Sequence, residues 1–255
     1  MNEEQEKATT VDGVRAVEMR YRAIFSTDTK EPAFYQSSIR LNSPDMGVLL
    51  PERFMPVLES DDRCISVFKL ALLQTLKAAE KFTSRELDFD WISVFMPLRL
   101  LRKRSCFNTV KEFTEMLGAY PQKICFEIPA LLIDEDNDNY RESIRKLRRA
   151  GYHAMIAGVG GESFPLMKLA ELEPDYVLLS EDITNMIGVN KRSDICVNSI
   201  ISFINELDAE PVASGVTSAE KADLLYDMDC SFYTGSEDFG GNYIGERFVR
   251  RKNQE

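Results

Sequence analysis

The stretch Asp90-Trp91-Ile92-Ser93-Val94-Phe95-Met96 begins the pattern that decides the fold. It is a short, mostly apolar run with the length and composition of a buried strand, and residues 108–117 after it have apolar side chains at helical spacing. The same pair of a strand and a helix recurs along most of the remaining chain. Regular alternation of strands and helices predicts right-handed crossovers and a parallel sheet.

The pattern predicts a series of strands with a helix between each strand and the next. The predicted strands are residues 90–96, 123–128, 153–157, 176–179, 211–214 and 230–233. The predicted helices are residues 108–117, 140–150, 163–172, 191–207 and 218–226. No linker rich in proline, glycine or serine divides the series, so one closed β/α barrel is favoured over two doubly wound domains.

The segment before Asp90 predicts a different start to the barrel. Residues 15–26 and 33–41 alternate as strands do, and the polar link at residues 27–32 makes them an antiparallel hairpin. Residues 60–81 carry the strongest helical pattern. We therefore predict a single α/β domain over residues 13–250, with a disordered tail at residues 1–12 and a short tail at residues 251–255.

Composition and charge exclude several classes of function. The chain has 255 residues, which suits one barrel, and a net charge of −11, which opposes binding to nucleic acid or anionic lipid. No apolar run reaches the roughly 20 residues needed to cross a bilayer. We expect a cytoplasmic protein whose five scattered cysteines are reduced core residues and whose lone histidine, His153, is structural.

One basic stretch, residues 99–104, departs from the acidic composition. We interpret it as a solvated loop or helix start; the alternative is a docking patch for an acidic partner.

Function in a β/α barrel depends on the residues at the carboxyl ends of the strands. Here those ends supply a single carboxylate, that of Glu127, and no Lys or His. The glycine-rich turn at residues 158–161 suits either a phosphate cradle or a tight strand-to-helix turn, and Glu162 after it would repel a phosphate.

At this point the sequence resembles the EAL-domain family of cyclic di-GMP phosphodiesterases. Residues 36–47, followed by Pro51 and Phe54-Met55-Pro56, are similar to the family's opening Glu-Ala-Leu-Leu-Arg-Trp, His-Pro-Glu-x-Gly and Pro-x-x-Phe-Ile-Pro segments. The later family motifs have counterparts in the same order at residues 126–128, 156–163, 174–183, 213–219 and 230–235. The resemblance spans residues 14–248 and implies a modified TIM-type (β/α) barrel with an antiparallel first strand.

The resemblance also implies a site, because active members of the family hydrolyse cyclic di-GMP with two divalent metals, usually magnesium or manganese. Of the family's metal-shell carboxylates, this chain keeps one, as Glu127. The other family site positions fall on Gln36, Phe95, Ala157, Gly158, Leu178, Ser214 and Thr234. Because several carboxylates are needed to balance two divalent ions, we expect no bound metal, no cofactor and no catalytic residue here.

Three hypotheses about function remain open. The first is a catalytically inactive regulatory module of bacterial signalling that binds a protein partner. The second is a metal-independent cyclic di-GMP receptor that uses Arg40, Phe95 and Glu127; Arg40 matches the family arginine that contacts phosphate, while Phe95 would either stack on guanine or plug the site. The third is a divergent phosphodiesterase. A homodimer through residues 160–172, with apolar Phe164, Leu166 and Met167, is a further expectation.

Overall fold

The structure is a computed structural model that describes residues 10–11, 14–130, 138–161 and 164–249. The predicted tails lie almost wholly outside these ranges. The exception is a short strand, β1 (Thr10–Val11), which pairs with β2 (Val14–Arg15) inside the segment expected to be disordered.

The strands and helices that follow β2 agree in order with the prediction. The strands are β3 (Val17–Ser26), β4 (Pro32–Ser43), β5 (Gly47–Leu49), β6 (Ile92–Phe95), β7 (Ile124–Pro129), β8 (His153–Val159), β9 (Tyr176–Leu179), β10 (Glu210–Val216), β11 (Phe232–Gly235) and β12 (Ile244–Gly245). The helices are α1 (Pro51–Leu58), α2 (Arg63–Ser84), α3 (Leu98–Leu101), α4 (Cys106–Met116), α5 (Asp138–Arg149), α6 (Lys168–Leu172), α7 (Glu181–Asn185), α8 (Lys191–Glu206) and α9 (Ala219–Asp227).

Eight strands close into a barrel within the described residues. The order around it is β3, β11, β10, β9, β8, β7, β6 and β4, and β4 pairs back to β3. Strand β3 runs antiparallel to both of its barrel neighbours, whereas the other pairings are parallel. The modified barrel with an antiparallel first strand is therefore confirmed.

Two layers of apolar residues hold the barrel together. The larger layer lies between strands and helices, and the smaller one fills the inside of the barrel. The inner cluster consists of Ile24, Phe34, Trp91, Cys125, Met155, Leu178 and Val212. The rings of Phe34 and Trp91 stack with centroids 4.1 Å apart and planes 7° from parallel. The inside of the barrel is thus a packed core and not a channel.

The predicted helix at residues 163–172 is shorter than expected. Only Lys168–Leu172 is helical, and Glu162 and Ser163 lie outside the described residues. Pro165 disfavours helical geometry at the residue before it, which agrees with the position of Phe164 outside the helix.

The cysteines are free, as expected, but not all belong to the core. Cys64, Cys106, Cys125 and Cys230 are buried, whereas Cys196 is exposed on α8, which corrects the expectation that all five lie inside.

None of the described helices has the length and apolar character required to span a bilayer.

Candidate functional site

Strand alternation determines which side chains point into the upper end of the barrel. Successive residues of a strand face opposite sides, so Gln36 projects on the same side as Phe34, Ser93 on the side of Trp91, and Glu127 on the side of Cys125. These polar side chains therefore meet above the inner cluster. We call this region the mouth of the barrel.

A hydrogen-bonded network occupies the mouth. The amide Nε2 of Gln36 donates to both carboxylate oxygens of Glu127, at 2.9 and 3.0 Å, and the Ser93 hydroxyl donates to Oε2 at 2.9 Å. On the other side of Gln36, Nε of Arg22 donates to Oε1 at 2.8 Å. Arg22 and Gln36 are directly paired across β3 and β4. Both oxygens of Glu127 are thus engaged by neutral donors, with an arginine behind them.

The electrostatics of Glu127 follow from this arrangement. Burial raises the pKa of its carboxyl, while the hydrogen bonds from Gln36 and Ser93 and the charge of Arg22 act in the opposite direction. Arg22 is therefore the cation that offsets the Glu127 charge.

Tyr243 covers the network from the C-terminal segment. Its ring lies 4.7 Å from the guanidinium carbon of Arg22, and its carbonyl oxygen accepts a hydrogen bond from Arg20 at 3.2 Å. Burial raises the pKa of the Tyr243 hydroxyl. The turn before it is packed tightly, since a Cβ at Gly235 would lie 1.7 Å from the carbonyl oxygen of Phe239. This turn fixes the segment that carries Tyr243.

The remaining family site positions have structural roles. Leu178 belongs to the inner apolar cluster, and Ala157 packs against that cluster. The Ser214 hydroxyl donates to the Leu179 carbonyl oxygen at 2.6 Å, and the Thr234 hydroxyl accepts the Gly215 N–H at 3.3 Å. These four positions supply no charged group to the mouth.

Glycine is required at two positions near the end of β8, Gly158 within the strand and Gly160 just after it. Gly158 has φ +84°, a conformation that side chains disfavour. Gly160 has φ +86°, and a Cβ there would lie 2.5 Å from the side chain of Ile183. Backbone conformation at Gly158, and conformation together with close packing at Gly160, thus account for glycine at these two positions. Glu162 is not among the described residues.

The two proposed nucleotide contacts, Arg40 and Phe95, already have protein partners. Arg40 donates to the Glu18 carboxylate from Nε at 2.9 Å and from Nη2 at 2.5 Å, and the two residues are paired across β3 and β4. Phe95 is partly buried and meets Phe68 edge to face at 6.2 Å.

The donor set does not fit a pair of divalent metals. Such ions take several oxygen ligands around one point, with carboxylates supplying the charge. Over the described ranges, no three side chains of the His, Cys, Asp and Glu types converge as metal ligands. Both oxygens of Glu127 instead accept hydrogen bonds from protein donors.

Two surface expectations have mixed outcomes. In the basic stretch, Arg99 lies in α3, and both Arg99 and Lys103 bind Asp62, at 2.6 and 3.1 Å, so two of its four cations are paired within the chain. In the segment proposed for dimerisation, Phe164 is buried and Leu166 half-buried, so Met167 alone of the three is strongly exposed, at 68%.

Sequence reasoning missed three residues of the mouth: Arg22, Ser93 and Tyr243. Alternation contained a signal for the first two, because Arg22 precedes inward-facing Ile24 by two residues and Ser93 follows Trp91 by two. For Tyr243 no local pattern exists, since its position depends on the pairing of β12 with the middle of β3.

Comparison with known proteins gives a consistent family. The sequence model of the EAL domain family matches residues 10–237 of this chain. The cyclic di-GMP phosphodiesterase RocR of Pseudomonas aeruginosa is 23% identical over 196 residues, which cover 77% of this chain and 50% of RocR. The signaling protein YkoW of Bacillus subtilis is 19% identical over 235 residues, which cover 92% of this chain and 29% of YkoW.

A solved structure with the same fold is that of the EAL enzyme Bd1971 in its cAMP- and cyclic di-GMP-bound form. It superposes with a TM-score of 0.79 at 20% identity, over 91% of this chain and 63% of that one. This chain spans half or less of the length of the curated relatives named above.

Proposed function

This chain belongs to the EAL domain family, and from that premise we propose that it is a catalytically inactive member, a regulatory module of bacterial cyclic di-GMP signalling that acts by binding a protein partner. The observation that carries the proposal is the Arg22–Gln36–Glu127–Ser93 network, in which amide, hydroxyl and guanidinium groups surround the one remaining family carboxylate.

The physical argument is one of charge. Metal-dependent hydrolysis needs a cation that acidifies a bound water, and two divalent ions bring four positive charges that carboxylates must balance. Here the mouth holds Arg22 beside a single family-site carboxylate. A divalent ion at Glu127 would have to displace the donors that now bind its oxygens, and it would be repelled by the guanidinium.

Hydrolysis assays test the proposal directly. We expect the purified protein, with magnesium or manganese, to form no linear product from cyclic di-GMP above a heat-treated control, while RocR in the same buffer serves as the active comparison. We expect Gln36→Glu to leave this result unchanged, because Ala157 and Ser214 still supply no carboxylate. Metal-dependent cleavage by the wild-type protein would contradict the proposal.

A metal-independent cyclic di-GMP receptor is the second candidate, favoured by the position of Arg40 on the inward side of β4. Its guanidinium is held by Glu18, so a phosphate would have to compete with a two-point ion pair. We therefore expect titration of the protein with cyclic di-GMP in a calorimeter to give no saturable heat. Saturable binding that is lost in Arg40→Ala and strengthened in Glu18→Gln would instead establish the receptor.

We further propose that the partner is a protein and that the complex forms in the cytoplasm. The free thiols of all five cysteines favour a reducing compartment. The acidic net charge of −11 disfavours nucleic acid as a partner. Crosslinking in the native host followed by mass spectrometry would identify the partner and the face that it contacts.

A further inference from the structure

An unpaired strand edge lies at the C-terminal end of β4. The hairpin from β4 continues into β5, which pairs with β4 through Leu41–Leu49, Asn42–Val48 and Ser43–Gly47. Among the described residues no strand pairs with the other side of β5, which ends the sheet. Proteins normally cover or charge such an edge, because its free backbone groups can pair with another strand.

The side chains of this edge are apolar where a charged residue would be expected. Val48 is 51% exposed, Leu50 is 55% exposed and Met46 in the adjoining turn is 70% exposed, whereas Leu49 between them packs on the core. Val48 in β5 is thus flanked by Met46 at the end of the preceding turn and by Leu50 just before α1, and the three exposed side chains form one apolar strip along this edge. Scattered exposed apolar residues are ordinary, but a contiguous strip along a free strand edge is typical of an interaction surface.

The strip is complementary to itself. If two copies of β5 pair antiparallel around a two-fold axis at Val48, Val48 faces its own copy and Met46 faces Leu50 of the other chain, so the apolar positions match. Charge is compatible with this arrangement. In the same register Asp45 of one copy lies opposite Pro51 of the other, at the N-terminus of α1, which has no side-chain cap and where the helix dipole favours a carboxylate. Glu52 and Arg53 follow in the first turn of that helix, and the charges of interest for the pairing are those of Asp45 and Arg53. Both are exposed, and neither forms an ion pair with another described residue.

We propose that two copies of this chain associate through antiparallel pairing of their β5 edges, with Val48 on the two-fold axis. This contact differs from the segment at residues 160–172, and it does not depend on whether the mouth is catalytic. It joins the two barrel sheets through four consecutive strands, β4–β5 of one copy and β5–β4 of the other.

Sedimentation velocity of the full chain over a concentration series tests the association. We expect a reversible dimer, and we expect Val48→Asp to weaken it by at least about tenfold, because it places two like charges side by side on the axis. Met167→Asp is the matched control at an equally exposed apolar residue, and it should leave the dimer intact. A monomer at every concentration, or a dimer weakened by Met167→Asp and not by Val48→Asp, would overturn the proposal.

A thiol at position 48 tests the geometry independently. In a Cys196→Ser background, which removes the exposed native thiol, Val48→Cys should form an intermolecular disulfide under mild oxidation, since paired strands bring the two Cα atoms within disulfide range. Val57→Cys, at a residue 71% exposed on α1, is the control and should remain unlinked. Equal crosslinking of the two variants would refute pairing at β5. Hydrolysis assays test the proposal of an inactive mouth, and the sedimentation and crosslinking experiments test the dimer. Either proposal can therefore be refuted without affecting the other.

Discussion

Replacing Gln36 with methionine should destabilise the protein in a manner that depends on the charge of Glu127. The substitution keeps the length of the side chain but removes two hydrogen bonds to the carboxylate, at 2.9 and 3.0 Å, and the bond from Arg22 at 2.8 Å. Hydrogen bonds to charged groups contribute about 1.5–3 kcal/mol each, and water can replace part of them because Glu127 is half-buried. We expect a loss of about 2–4 kcal/mol in the free energy of unfolding, or a Tm lower by roughly 6–12 °C.

The pH dependence has a definite sign. Gln36 lowers the pKa of Glu127, so its removal moves the pKa in the folded state further above the unfolded value. Between those two values the native state binds more protons than the unfolded chain, and stability falls as pH rises. The cost of Gln36→Met should therefore be largest near neutral and alkaline pH and smaller below about pH 4, where the carboxyl is protonated in both states.

Urea denaturation of four proteins separates this effect from simple loss of packing: wild type, Gln36→Met, Glu127→Gln and the double variant. In the Glu127→Gln background, Gln36→Met should cost only about 1 kcal/mol, the usual value for neutral hydrogen bonds. A cost for Gln36→Met that is the same in both backgrounds and at all pH values would refute the network as the stabilising element of the mouth.

Three further predictions concern other parts of the barrel. Gly235→Ala should lower the Tm strongly, because its Cβ would lie 1.7 Å from a carbonyl oxygen, whereas Gly245→Ala, whose nearest contact is 3.7 Å, should have little effect in the same thermal scan. The single tryptophan, Trp91, is fully buried against Phe34, so its emission should be blue-shifted in the folded protein and red-shifted on unfolding; emission of the native protein at the solvent-exposed wavelength would contradict the packed interior. Titration with a thiol reagent should detect Cys196 rapidly and the other four cysteines only after denaturation, since burial raises the pKa of Cys106 and Cys230 to about 12; rapid reaction of more than one thiol would argue against that burial.

The sequence predicted the barrel well because its signals were local. Short apolar runs and helical spacing placed the strands, and the strand at Tyr176–Leu179 was predicted with its observed limits. The short helices α1, α3 and α7 were not predicted, because four to eight residues give too few turns for apolar periodicity to be visible.

The site was predicted in part. The position of Glu127 followed from its place at a strand end, but its partners did not. Arg22 and Gln36 meet through the register of β3 and β4, and Ser93 reaches Glu127 across two strands 34 residues apart in sequence. Of these contacts only that of Gln36 with Glu127 joins strands that are not neighbours, β4 and β7, and it depends on the curvature of the barrel, which no local pattern encodes.

The cation at the mouth is part of the polypeptide. Arg22 and Gln36 are 14 residues apart in one hairpin, so the countercharge for Glu127 is present in every folded molecule. It cannot be diluted away, exchanged for another ion or extracted by a chelator. We therefore expect thermal scans to find the same folded fraction with and without added magnesium or manganese.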